Sequence, residues 1–189
     1  MADVVLISGS PRADSNTEFL LNVCKEELEA AGLTAKILSL RGNPIQSCIA
    51  CGQCAKLGKC SLQDGLNEML PDIREADGFI VGAPVYFGTA RGDVMNLLQR
   101  VAMVARVNGN WLSRKVGGPV VVARRGGHSA TLQEMLMMFF ISDMIVPGSS
   151  YWNIAFGHAA GTVADDAEGI ATMRKFAQNT AYLIVQMRK

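Results

Sequence analysis

A chain of 189 residues that is 49% hydrophobic can bury a sizeable core, and its length suits one domain spanning 1–189. Its 18 basic and 17 acidic side chains nearly cancel, leaving a formal charge of +1, and the basic residues are scattered, which argues against nucleic acid or an anionic membrane as partner. The amino terminus MADVVLISGSPR lacks the parts of a secretory signal and no apolar run reaches about 18 residues, so a soluble cytoplasmic protein is expected.

Asp3 to Ser8 (DVVLIS) reads as a buried strand. GSPRADSNT is a turn-rich loop, and an amphipathic helix runs from Glu18 to Ala31, closed by Gly32. Ala35 to Leu40 is a second strand. The polar stretch from 41 to 64 is then too long to be idle in a compact domain. Leu66 to Ala76 reads as a helix interrupted near Pro71, Gly78 to Ala83 as a strand, and PVYFGTARG as a glycine-bounded loop. Val94 to Val107 is a largely apolar helix, Val116 to Ala123 a strand, and RRGGH a loop. Ala130 to Ser142 is a helix apolar almost all round, Met144 to Val146 a short fifth strand, and Asp165 to Met187 the last helix.

Strand and helix alternate five times, which predicts an α/β three-layer sandwich with a five-stranded parallel sheet in the flavodoxin-like order 2-1-3-4-5. Ligands of such sheets bind outside the carboxyl ends of the strands, where the loops at 9–17, 84–92 and 124–128 should converge.

The first loop offers the hydroxyls of Ser10, Ser15 and Thr17, the amide of Asn16 and the cation of Arg12 at a helix amino terminus, where an anion is favoured. Neither a Walker A loop nor a dinucleotide fingerprint is present, so a terminal phosphate monoester fits best. The plainer reading is a well-capped helix, with Ser15 as N-cap and Glu18 completing a capping box. In the second loop Pro84, Val85, Tyr86, Phe87 and Gly88 suit a flat heteroaromatic ring, against core packing as the alternative. In the third, Gly126 and Gly127 permit close backbone approach, and Arg124 or Arg125 could stabilise negative charge; otherwise the arginines belong to a solvated loop. His128 reads as a helix-start residue with no catalytic partner.

Four of five cysteines, Cys48, Cys51, Cys54 and Cys60, fall in CIACGQCAKLGKC. The spacing C-x2-C-x2-C-x5-C favours a 4Fe-4S cluster, although no proline follows as in a ferredoxin run. Zinc prefers two C-x2-C knuckles further apart, and a structural disulfide is unexpected in the cytosol. Zinc, emptied cysteines and thiol pairs stay open as alternatives. Cys24 reads as buried core.

Taken in order, GSPRADSNT, the cysteine loop, the IVGAPVYFGT segment, the RRGG loop and VPGSSYW resemble the NADPH-dependent FMN reductase superfamily, and the cysteine spacing narrows this to its iron-sulfur flavoproteins. The resemblance covers essentially the whole chain. It implies FMN as cofactor, with Ser10, Arg12, Ser15, Asn16 and Thr17 at its phosphate, Pro84 to Gly88 at the isoalloxazine and Arg124 to Gly127 at the far edge. It also implies dimers or tetramers and electrons arriving from NAD(P)H or a ferredoxin. Relatives often carry K-x3-D-R in the helix after PVYFG, whereas this chain has Met95 and Gln99 before Arg100. The expected function is electron transfer between FMN and the cluster. An NAD(P)H-dependent FMN or quinone reductase without a cluster, and a zinc-stabilised or thiol redox-sensing binding protein, are the alternatives.

Overall fold

The computed structural model describes residues 2–189. Its main sheet is β1 (Val4–Ser8), β2 (Ala35–Ser39), β3 (Gly78–Tyr86), β5 (Val116–Ala123) and β6 (Ile154–Phe156), all parallel and laid out β2-β1-β3-β5-β6. This is the expected 2-1-3-4-5 order of five parallel strands. A sixth, β4 (Thr89–Ala90), folds back antiparallel on β3.

Period-two alternation explains the layers. On β1, Val5 and Ile7 point into one core with α3 (Leu66–Glu75), α4 (Gly92–Val107) and α5 (His128–Ile141). Val4 and Leu6 point into the other, with α1 (Asn16–Ala30) and α6 (Ala167–Met187). Cys24 is fully buried there, its sulfur 3.8 Å from the Met173 carbonyl oxygen, and burial pushes its thiol pKa up to about 12. None of the helices among the described residues is long and apolar enough to cross a membrane.

Two expectations are corrected. The fifth strand is at 154–156, not 144–146. Ile145 makes only an isolated bridge to Val116, while Ile154 pairs with Val121 further along the same edge. The edge is one interrupted strand: Pro147 lacks a donor to continue the ladder, and the GSSYW run loops out before pairing resumes at the Asn153 carbonyl. Nor does Pro71 interrupt its helix, which runs unbroken through it. Pro71 gives up one hydrogen bond, and buried Leu66, Met69, Leu70 and Ile73 keep the helix on the sheet regardless. Between β2 and α3 the cysteine stretch holds a single helical turn, α2 (Cys54–Leu57).

His128 opens α5 with its ring buried. Its Nε2 lies 3.0 Å from the Ala155 carbonyl oxygen, and the ring packs on Phe156 at 4.4 Å. Burial lowers its pKa, against the smaller opposing effect of its backbone hydrogen bonds. Below about pH 6.5 the unfolded chain therefore binds a proton that the folded chain refuses, so stability falls as pH drops through that window. His128→Gln should flatten this slope in urea midpoints compared at pH 7.5 and 5.5. An unchanged slope would remove His128 as its source. The Asp3 carboxyl, which its Thr34 hydrogen bonds help hold down at about 2, titrates outside this interval.

Candidate functional site

The first loop meets α1 at Ser15, the N-cap, whose Oγ accepts from the Glu18 backbone N–H at 3.1 Å. Ser10 Oγ likewise accepts from the Arg12 N–H at 3.2 Å. Both hydroxyls have spent an acceptor site inward and keep their own hydrogen to donate outward. The start of α1 leaves the Asn16 and Thr17 amides without intrahelical acceptors, so four donors and the exposed Arg12 cation face the same space. A Cβ on Gly9 would stand 2.2 Å from Val94 Cγ2 and 2.8 Å from the Gly82 oxygen, which is why the chain can turn there only as glycine. Arg91 fastens the turn from below, Nη1 donating to the Gly9 carbonyl at 3.3 Å.

The second loop is a tight hairpin rather than an open loop. Val85 pairs with Ala90 and Tyr86 with Thr89, and the turn residues Phe87 and Gly88 both have positive φ, at 52° and 92°. Phe87 stands fully in solvent at the tip. The third loop seats directly on this hairpin: a Cβ on Gly127 would lie 2.9 Å from Gly88 Cα and 2.9 Å from Val85 Cγ1.

Ser10, Arg12, Ser15, Asn16, Thr17, Pro84, Val85, Tyr86 and Arg124 line one cavity of about 190 Å³ at the carboxyl ends of β1, β3 and β5. Phe87, Gly88, Arg125, Gly126 and Gly127 lie just outside its wall, on the hairpin tip and the third loop. A fourth loop completes the wall with Gly157, His158 and Ala160. Misplacing the last strand hid it, although IAF followed by GHAAG repeats the pattern of a short apolar run and a glycine-rich loop. Asn16 anchors this segment: its Nδ2 donates to the Ala159 carbonyl at 2.8 Å, and its Oδ1 accepts from the Val163 N–H at 3.2 Å. Its side-chain amide therefore shapes the wall.

Cys48, Cys51, Cys54 and Cys60 line a separate cavity of about 330 Å³ that shares no lining residue with the first. All four are unpaired thiols. Among the described residues no group of three or more His, Cys, Asp or Glu side chains sits closely enough to hold a metal ion. The rest of this wall is mostly apolar, including Ile49, Leu62, Met103 and Val104, with Arg100 the one cation. Cys51 is exposed, and the Ser61 hydroxyl 3.2 Å from its sulfur lowers the thiol pKa.

Polar residues from neighbouring helices hold this loop in place. Asn67 receives the Cys60 N–H at 2.9 Å and donates to the carbonyls of Cys60 and Leu62 at 3.0 and 3.2 Å. Along α4, Asn96 donates to the Ile45 carbonyl at 2.7 Å, and just past the helix Asn108 donates to that of Cys54 at 3.1 Å. Between them Arg100 Nη1 donates to the Gln46 carbonyl at 3.0 Å. Asn96 and Arg100 are four residues apart and share one helix face, a signal present in the sequence. Arg100 and Asp64 form an ion pair whose side chains are only 1% and 4% exposed. Burial works against the Asp64 carboxylate, but the Arg100 hydrogen bond and the backbone N–H groups of Gln46 and Leu66 outweigh it and lower its pKa.

Residues 2–159 match the family described as NADPH-dependent FMN reductase. The chain is 34% identical to an iron-sulfur flavoprotein of Methanocaldococcus jannaschii over 98% of its length and 99% of that protein's. It is 31% identical to an iron-sulfur flavoprotein of Methanosarcina thermophila over 97% and 95% of the two chains. Among solved structures, a WrbA-like flavodoxin from Agrobacterium tumefaciens superposes with a TM-score of 0.70 at 15% identity, covering 98% of this chain and 99% of that one, a likeness of fold.

Proposed function

Since the chain belongs to the NADPH-dependent FMN reductase family and, within it, to the iron-sulfur flavoproteins, we propose that this flavin-dependent oxidoreductase passes electrons between FMN and a 4Fe-4S cluster. One observation carries the reading: two cavities without a common residue, one at the donor-rich start of α1, the other lined by four unpaired thiols. Four unpaired thiols around one mostly apolar cavity suit a cluster that fills it.

When bound, FMN supplies the exchange between two-electron and one-electron steps, and the cluster a one-electron carrier. The protein's own residues bind, orient and tune. Ser10, Ser15 and the α1 amides would donate to the phosphate oxygens while Arg12 supplies charge. Tyr86 and the hairpin backbone would flank the ring, and Arg124 with Arg125 would offset negative charge at its far edge. His128, buried and bonded to the Ala155 carbonyl, holds no proton for the reaction. The donor would be NAD(P)H or a ferredoxin. Exposed Met103, Val107, Met137, Phe140 and Ile141 on α4 and α5 support assembly into dimers or tetramers.

Anaerobic purification with flavin, iron and acid-labile sulfide analysis tests the reading. Yellow protein that stays free of iron and sulfide after reconstitution would leave a cluster-free reductase, and metal without sulfide would indicate zinc. For the flavin end, Arg12→Ala should weaken FMN binding roughly tenfold, the worth of one exposed charge-assisted contact, and leave riboflavin binding unchanged. Equal losses for both ligands would place Arg12 away from the phosphate.

A further inference from the structure

We propose that Arg100 is a positioning residue that fixes the Cys60 sulfur and raises the reduction potential of the cluster bound there, with Asp64 moderating its charge; this rests on the cluster reading above. Arg100 Nη2 lies 3.0 Å from Cys60 Sγ and 3.0 Å from Asp64 Oδ1, so one N–H-bearing nitrogen is shared between sulfur and carboxylate. Nη1 holds Asp64 and the Gln46 carbonyl, which leaves the guanidinium no freedom to swing off the sulfur. Its Nε has no hydrogen-bond partner among the described residues.

The asymmetry among the cysteines carries the argument. Among the described residues Cys60 is the one cysteine whose sulfur accepts a hydrogen bond from a cation, whereas the sulfur of Cys51 faces the neutral Ser61 hydroxyl. In an otherwise apolar cavity a fixed charge acts with little screening. A hydrogen bond and a positive charge at a ligating sulfur favour the more negative, reduced state, and so raise the potential. Asp64, bonded to the same guanidinium, offsets part of that field.

Redox titration of the anaerobic holoprotein, followed by electron paramagnetic resonance for the cluster and by visible absorbance for the flavin, tests this on two variants. Asp64→Asn keeps the cation and unmasks it, so the cluster potential should move positive. The paired change Arg100→Gln with Asp64→Asn removes both charges and the hydrogen bond to Cys60 Sγ, and the potential should move negative of wild type. The flavin potential should stay put in both, which also reports an intact fold. Cluster potentials that do not move, or that move the same way in both variants, would overturn the proposal. If the paired variant keeps flavin but loads no cluster, Asp64→Asn decides alone: a potential at or below wild type sinks the idea. Wild-type protein that holds no iron or sulfide after reconstitution would instead bring down the cluster reading, and this proposal with it.

Discussion

Alanine at position 117 is expected to prevent stable folding, at a cost of more than about 4 kcal/mol against a total stability of roughly 5–15 kcal/mol. Gly117 sits in β5 opposite Phe79 of β3, with φ 157°, and a Cβ there would stand 1.9 Å from the Phe79 carbonyl oxygen and 2.6 Å from its carbon. These are backbone atoms of the adjoining central strand, so nothing can rotate away. Relief would require β3 and β5 to separate, and the hairpin at the end of β3 and the third loop at the end of β5 both depend on that pairing. Flavin binding should be lost together with the cooperative unfolding transition. Gly118→Ala is the control: its Cβ would meet only side-chain atoms, Val146 Cγ1 at 3.1 Å and Phe176 at 3.5 Å, so a modest loss is expected. A Gly117→Ala protein whose denaturant midpoint matches wild type would show that the sheet accommodates what these distances forbid.

The two adjacent glycines show where sequence reading ends. Both lie in the apolar run VGGPVVVA, which is enough to place a buried strand, but not to say which glycine faces a neighbouring carbonyl. The same limit explains the misplaced fifth strand. Met144 to Val146 and Ile154 to Phe156 are both short apolar runs, and only pairing with β5 shows that the second carries the ladder. The donor-rich first loop was legible because its hydroxyls, its amide and its N-cap are local to one stretch. The side-chain role of Asn16 was not, since its partners lie near residue 160. Likewise the four cysteines announce themselves by spacing, whereas Asn67, Asn96 and Arg100, which shape their loop, act from other elements. Long-range polar anchors carry no motif; on α4 only the recurring helix face hinted at one.

Cys51→Ala should abolish iron and sulfide incorporation while leaving FMN at wild-type stoichiometry. The exposed Cys51 side chain contributes nothing to the core, so its removal opens no buried cavity. Cys60 would be a poorer choice, because its loss also strips a partner from the buried Arg100. The backbone around the substituted residue stays tied down by Asn67, Asn108 and the Arg100–Asp64 pair, none of which uses the Cys51 sulfur. With no lining residue common to the two cavities, damage should remain on the thiol side. Cys24→Ala supplies the contrast. That thiol is buried against the other face of the sheet and held protonated, so iron content should be unaffected even if stability drops. Flavin that departs with the iron in Cys51→Ala would mean the two sites are one cooperative unit, and full iron retention would mean that Cys51 is no ligand. Iron loss with FMN retained would establish that the chain carries its two redox centres on separately removable supports, the flavin on the sheet's loops and the cluster on a strap pinned by α3 and α4.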